Sequence, residues 1–474
     1  MDRAIPNIRF RRILGYSESP AKASDLLYNE KFIKDKLVVD FRTRLLAISI
    51  FLFHFIENGT LGLLPEKSYF VYRNVRISDL ILYGLTIYSI VCYKEIKEMI
   101  KSRSFLMAKI LILYLLFEFG VSAVKYQFNV VEYFFRLKGI WESFLVLPYM
   151  LLLRRDGFGF FFKLIFPVAI ISNILYILSA LTGIAFLPDV SIIKQRLPGD
   201  IEVFRVYGGT FFGDFFYLGF IYYWITKKFK VWQLAAIVLF IIPHLLAFGR
   251  TAWAFFVFTI VLMVAMNSLM KKQFRILVKH IIILVFLGIV LIISFIKFIP
   301  QSDYYVDALG ERLFQGQEDV KYSEGTYGAR VLLQNEALVG LWMKSDMILG
   351  IGMHPMWVVR AETHEEQLYY NAFSDVAWPS VLAAYGIIGF LITAVFQAYY
   401  IIMSFRLIKK FRVPDVYNFL VLFCLANMTF DSFVQFSYKL FSASLWGLYG
   451  KMNFFVAVIV YVYVHHLKIK KENR

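Results

Sequence analysis

The chain has 474 residues, 59% of them hydrophobic, and a mean hydropathy of +0.63. A soluble fold of this composition would have too little polar surface for water, so it reads as an all-α polytopic membrane protein. The formal charge of +17 would raise nucleic acid as a partner of a soluble chain, but basic residues also accumulate in cytoplasmic loops, and no nucleic acid is expected here.

Residues 1–44 form a basic amino-terminal arm with spaced apolar residues, expected on the cytoplasmic side against anionic headgroups. No early apolar core followed by a small-residue cleavage site is read in it. Apolar runs then predict about twelve spans, at 45–63, 77–93, 104–124, 139–153, 163–187, 210–226, 231–248, 252–269, 281–299, 376–404, 416–433 and 441–462. Spans one to nine thus fill 45–299, a large loop fills 300–375, spans ten to twelve fill 376–462, and 463–474 is a tail. With the amino terminus inside, the basic pairs Arg154–Arg155, Lys227–Lys228, Lys271–Lys272 and Lys409–Lys410 and the run from Lys468 to Lys471 all fall on one side. Both termini are then cytoplasmic, as are the loops 94–103 and 154–163. The two cysteines, Cys92 and Cys424, lie in apolar segments and give neither a disulfide framework nor a metal spacing.

A connection as long as 300–375 points to function and is expected to be partly helical. EGTYGARVLLQNEALVGLWM, 324–343, has apolar residues at helical spacing, with Arg330 near its start. ILGIGMHP, 348–355, reads as a glycine turn with a proline stop. Gly350 and Gly352 lack the strand–glycine–helix setting of a nucleotide fingerprint, so they are expected to permit a tight turn near the membrane surface. AETHEEQLYYNAFSD, 361–375, carries His364, Glu365, Glu366 and Asp375. The spacing of His354 and His364 matches no strong metal-ligand pattern. Glu57 and Glu118, within or near the outer halves of spans, are expected to pair with basic groups; for Asp431 and Asn427 structural pairing, of Asp431 with Lys439, is expected ahead of the alternative that both face a polar cleft.

One arginine, Arg250, interrupts the apolar stretch 245–266 and falls at the outer boundary between two spans. The order FGRTAWAFF (248–256), a long outer loop, GARVLLQNEALVGLWMKSDMILGIG (328–352) and then AAYGIIGFL (383–391) resembles the bacterial O-antigen polymerase and O-antigen ligase superfamily. The match is strongest over about 249–390. It implies a helical membrane fold grouped with the class C glycosyltransferases, acting on undecaprenyl-diphosphate-linked glycans at the outer face of the cytoplasmic membrane.

The resemblance implies that Arg250 and Arg330 approach the lipid diphosphate, with Arg312 a third candidate. Guanidinium forks suit phosphate oxygens, and Gly249 and Thr251 leave room for a bulky group beside Arg250. Family ligases carry a histidine just ahead of a G-x-x-G span. Here that position falls near Asp375, and His364 lies one helical stretch earlier. The departure favours a polymerase over a ligase, with His364 and Asp375 the candidate bases. No cofactor is expected, because the leaving group is already activated and arginines can neutralise it. The partners implied are the lipid-linked donor and acceptor, membrane lipids, and a chain-length regulator and flippase of the same pathway. A flippase is the alternative from another class, but its pseudo-symmetric halves are not evident.

Overall fold

A computed structural model of the chain describes residues 39–57, 70–72, 75–127, 130, 141–182, 184–186, 192–197, 201–206, 210–226, 231–246, 250–271, 347–352, 378–411, 415–434 and 450–472, with isolated positions between 282 and 339. Twelve α-helices lie among these residues: α1 Phe41–Glu57, α2 Ile77–Val91, α3 Tyr93–Lys101, α4 Leu106–Tyr126, α5 Val146–Arg154, α6 Phe158–Thr182, α7 Thr210–Thr226, α8 Val231–Leu246, α9 Arg250–Lys271, α10 Trp378–Phe411, α11 Asp415–Val434 and α12 Gly450–Glu472. Two antiparallel hairpins accompany them, β1 Phe70–Tyr72 with β2 Val75–Arg76, and β3 Ile192–Leu197 with β4 Ile201–Val206. They add strands to an expectation that was all-helical.

Local chemistry sets several boundaries. The Asp40 carboxylate accepts the Thr43 amide at 3.3 Å, capping α1, and Asp79 accepts the Arg76 amide at 2.8 Å at the start of α2. The chain then bends by 84° at Cys92 into α3, YKEIKEMIK. Only Ile96 and Met99 of α3 are buried, three residues apart on one face, so α3 lies along the bundle rather than through it. This segment belongs to what the apolar runs mark as a loop, 94–103.

Among the described residues, three helical stretches are long and apolar enough to cross a membrane: Arg103–Tyr126, Phe158–Ser179 and Ala384–Lys409. The bent α2–α3 pair passes the same test together, and four shorter apolar stretches accompany them. The long helices turn apolar side chains outward, among them Leu113 and Phe117 of α4 and Leu391 and Val395 of α10. The centre is made by parts of three other helices. Val146 to Leu153 of α5, Phe419 to Met428 of α11 and Phe454 to Val462 of α12 are buried almost throughout. Helices that are apolar all round belong inside, and α12 packs against α5, α10 and α11. Aromatic contacts fill the seams, such as Phe162 stacked on Phe215 at 4.2 Å. His54 of α1 and the Tyr149 hydroxyl of α5 share a buried hydrogen bond.

Most helices follow the expected spans closely, and α7 coincides with 210–226. The last helix does not. It runs from Gly450 to Glu472, so the segment read as a tail continues it, while 441–449 lies outside the described residues. The span at 281–299 also lies outside them, apart from Ile282.

Side-chain contacts bring three of the segments together at one end of the bundle. Arg155 clamps Glu95 with two hydrogen bonds, Nε to Oε2 at 2.9 Å and Nη2 to Oε1 at 2.7 Å, and donates from Nη1 to the Tyr88 hydroxyl at 2.8 Å. The loops 94–103 and 154–163 therefore share one end of the bundle. Tyr399 and Tyr400 of α10 donate to the carbonyls of Arg103 and Ser104 at 2.8 and 2.9 Å, which brings the later part of α10 to that end.

Candidate functional site

The opposite end of the bundle holds a break in a helix. At Gly386, α10 leaves helical geometry, with φ +61° and ψ −168°. This region of backbone space is essentially closed to residues with a Cβ. The break frees backbone groups around residues 384–388, which must find partners elsewhere.

The segment 347–352 supplies them. The Ile387 amide donates to Met347 O at 2.9 Å, the Ile388 amide to Ile348 O at 3.3 Å, and the Gly352 amide to Ala384 O at 3.0 Å. Gly350 and Gly352 both hold positive φ, +76° and +79°, so the expected tight turn is present. The turn therefore plugs the break in α10. A Cβ at Gly386 would run into Ile348 O, and one at Gly350 would lie 2.6 Å from the Ala384 carbonyl.

Helix α4 closes the other side. Tyr114, Glu118, Ser122 and Tyr126 recur every four residues and form one face of a mostly apolar helix. The Tyr114 hydroxyl donates to Tyr385 O at 2.8 Å. Tyr114 fits there because Gly389 has no side chain; a Cβ would lie 2.9 Å from the ring and the hydroxyl. The Tyr126 hydroxyl and Lys125 Nζ, the latter at 3.4 Å, both donate to Ile351 O. Gly352 approaches Ser122 so closely that a Cβ would meet its hydroxyl at 2.8 Å.

Glu118 sits at the middle of this face with 0% of its surface exposed. Neither carboxyl oxygen has a hydrogen-bond partner among the described residues. Tyr114 and Lys125 lie within electrostatic reach of it. A buried carboxyl in an apolar span is costly, which makes Glu118 a candidate functional group.

Arg250 begins α9. Phe255 packs on Phe430 near the end of α11 at 5.1 Å, while Met266 shares a groove with Phe405 and Lys409 of α10. The start of α9 therefore lies at the end of the bundle that holds the Gly386 break. Strand β4 contacts α6 and α8. Arg312, Arg330, His354, His364 and Asp375 lie outside the described residues. The segment joining Gly352 to Trp378, which contains His364 and Asp375, has both its anchors at this end.

Asn427 is buried, but its amide donates to Phe423 O at 2.9 Å within its own helix rather than facing a cleft. Cys92 and Cys424 are free thiols. The polar face of α4 is the part that sequence reasoning missed beyond Glu118; its signal was the four-residue spacing of polar side chains in an apolar run. No family model matches the chain, and no curated protein matches it.

Proposed function

We propose that the chain is a membrane glycosyltransferase that polymerises undecaprenyl-diphosphate-linked oligosaccharide repeat units into a surface polysaccharide. The observation that carries the reading is the shared position of two features. Arg250 opens α9 at the same end of the bundle where the 347–352 turn ties the large loop to the broken helix α10. The resemblance in the motifs around these two features supplies the substrate class.

In this reading the acceptor sugar hydroxyl attacks the anomeric carbon of the donor. The bond from that carbon to the diphosphate oxygen breaks, and the electron pair leaves with the diphosphate. Arg250 and Arg330, with Arg312, hold the charge that develops there, where low dielectric makes each guanidinium worth more than in water. The hydroxyl proton passes to Asp375 or His364. The broken helix gives the loop a fixed footing, which positions reacting groups better than a loop tethered only at its ends.

The same proposal includes twelve spans in a bacterial inner membrane, with both termini cytoplasmic and 300–375 outside. It rests on the basic clusters and on the shared end at which 94–103, 154–163 and the later part of α10 meet. A cysteine introduced at Ser323 should react with an impermeant reagent in intact cells. Labelling only after the membrane is opened would overturn the topology. The activity is tested by incubating purified protein with a lipid-linked repeat unit and reading product length. A ladder supports polymerisation. A single transfer to another acceptor would mean a ligase, and scrambling of the lipid without turnover a flippase.

A further inference from the structure

At the end of the bundle remote from the Gly386 break, α9, α10 and α11 leave an open groove of about 780 Å³. Leu262 and Met266 of α9, Ile402 and Phe405 of α10, and Leu425 and Thr429 of α11 line it. Arg406 and Lys409 join them, one helical turn apart on α10 and four residues beyond Ile402 and Phe405. Both cations are exposed, and no carboxylate pairs with either among the described residues.

Depth fixes what this groove meets. Twenty residues of α10 separate Gly386 from Arg406, which is about 30 Å of helix at about 1.5 Å per residue. That length matches the hydrocarbon thickness of a bilayer. With the break near one interface, Arg406 and Lys409 stand at the headgroup level of the other, and the apolar lining runs back into the acyl region. Close helix–helix contacts in membranes favour small residues, whereas bulky Leu, Met, Ile and Phe wall this groove. Two cations above an apolar furrow complement a lipid that carries negative charge.

We propose that this groove is a binding site for an anionic phospholipid, with an acyl chain along Leu262, Met266 and Leu425 and the phosphate on Arg406 and Lys409. The site is separate from the diphosphate chemistry and does not depend on it.

Purified full-length protein in detergent is titrated with phosphatidylglycerol or phosphatidylcholine, and bound lipid is counted by native mass spectrometry. Phosphatidylglycerol should be retained about tenfold more strongly, as two basic groups at a membrane surface allow. The Arg406→Gln/Lys409→Gln variant should lose that preference with phosphatidylcholine binding unchanged. Arg406→Lys/Lys409→Arg should keep it, and Thr429→Trp, which fills the groove, should weaken both lipids. Equal retention of the two lipids by the wild type, or an undiminished preference in the glutamine variant, would overturn the proposal. So would a photoreactive residue at position 405 that, in mixed vesicles of the two lipids, captures a second copy or another polypeptide instead of lipid.

Discussion

The Tyr114 hydroxyl in α4 donates to the backbone carbonyl of Tyr385 in α10 at 2.8 Å, across 271 positions of sequence. The carbonyl needs this donor because the helix stops being regular one residue later, at Gly386. Tyr114→Phe keeps the ring against Gly389 and removes only the hydroxyl. The variant should lose about 1–2 kcal/mol of stability, between a typical interhelical hydrogen bond in a membrane and a buried carbonyl left unpaired. Thermal unfolding in detergent checks it. An unchanged midpoint would mean that the carbonyl finds another donor.

The plug itself depends on glycine. Gly386→Ala forces a Cβ into a backbone conformation essentially reserved for glycine and against Ile348 O. Conformational strain alone costs about 1–3 kcal/mol, and the collision adds to it. The expected relief is that the 347–352 turn leaves the break, exposing the loop to limited proteolysis while the rest of the bundle stays folded. Gly350→Ala should give the same pattern, since it fails against the Ala384 carbonyl. Gly84→Ala is the control, because nothing lies within 4 Å of a Cβ there. Digestion at the wild-type rate in both site variants would show that the turn is not held by these contacts.

Hydropathy made most of the bundle legible because a span is a local property: twenty apolar residues announce themselves without reference to a partner. The features it missed depend on pattern or partners. In α3, apolar residues recur at 93, 96 and 99 between charges, so its mean hydropathy resembles a loop although its helical period is clear. The β3–β4 hairpin carries a proline–glycine–aspartate run between its strands, a turn signal inside a segment that an apolar scan passes over. The glycine turn at 350–352 was readable, but its docking place was not. Gly386 looks like any small residue in a span until Met347 and Ile348 are placed beside it. Likewise Tyr114, Ser122 and Tyr126 pass for ordinary span residues until their common face meets the turn.

Two carboxyls in the segments outside the spans pull the pH dependence of stability in opposite directions. Hydrogen bonds from Arg155 hold Glu95 below its ordinary value. Its contribution is therefore present at neutral pH and is lost as pH falls through the folded value. Burial pushes half-buried Asp156 up to about 7, with Arg154 opposing. The folded state then binds that proton more tightly than the unfolded chain, so stability falls as pH rises from about 4 to about 7. Asp156 sits at φ +55°, which asparagine tolerates. Asp156→Asn should therefore be more stable than wild type above pH 7 and equal to it near pH 4. Glu95→Gln should be less stable at pH 7, with the gap closing in acid. Unfolding midpoints across pH separate the two. A constant offset for Asp156→Asn would mean that the turn, and not the charge, sets its stability.

If Arg250 and Arg330 hold one diphosphate, their losses should not multiply. Each alanine variant should reduce chain extension by about 10²-fold or more, the scale seen when one donor to a developing anion is removed. Once one guanidinium is gone, the diphosphate sits less well against the other, so the double variant should be far less impaired than the product of the two single losses. Arginines acting on separate groups would instead give losses that multiply. The control is that all three variants insert and elute as the wild type does on size exclusion, because the start of α9 carries the Phe255–Phe430 packing only five residues on. Full-length glycan ladders from both single variants would remove the shared clamp altogether and leave Arg250 as a residue that reaches lipid headgroups.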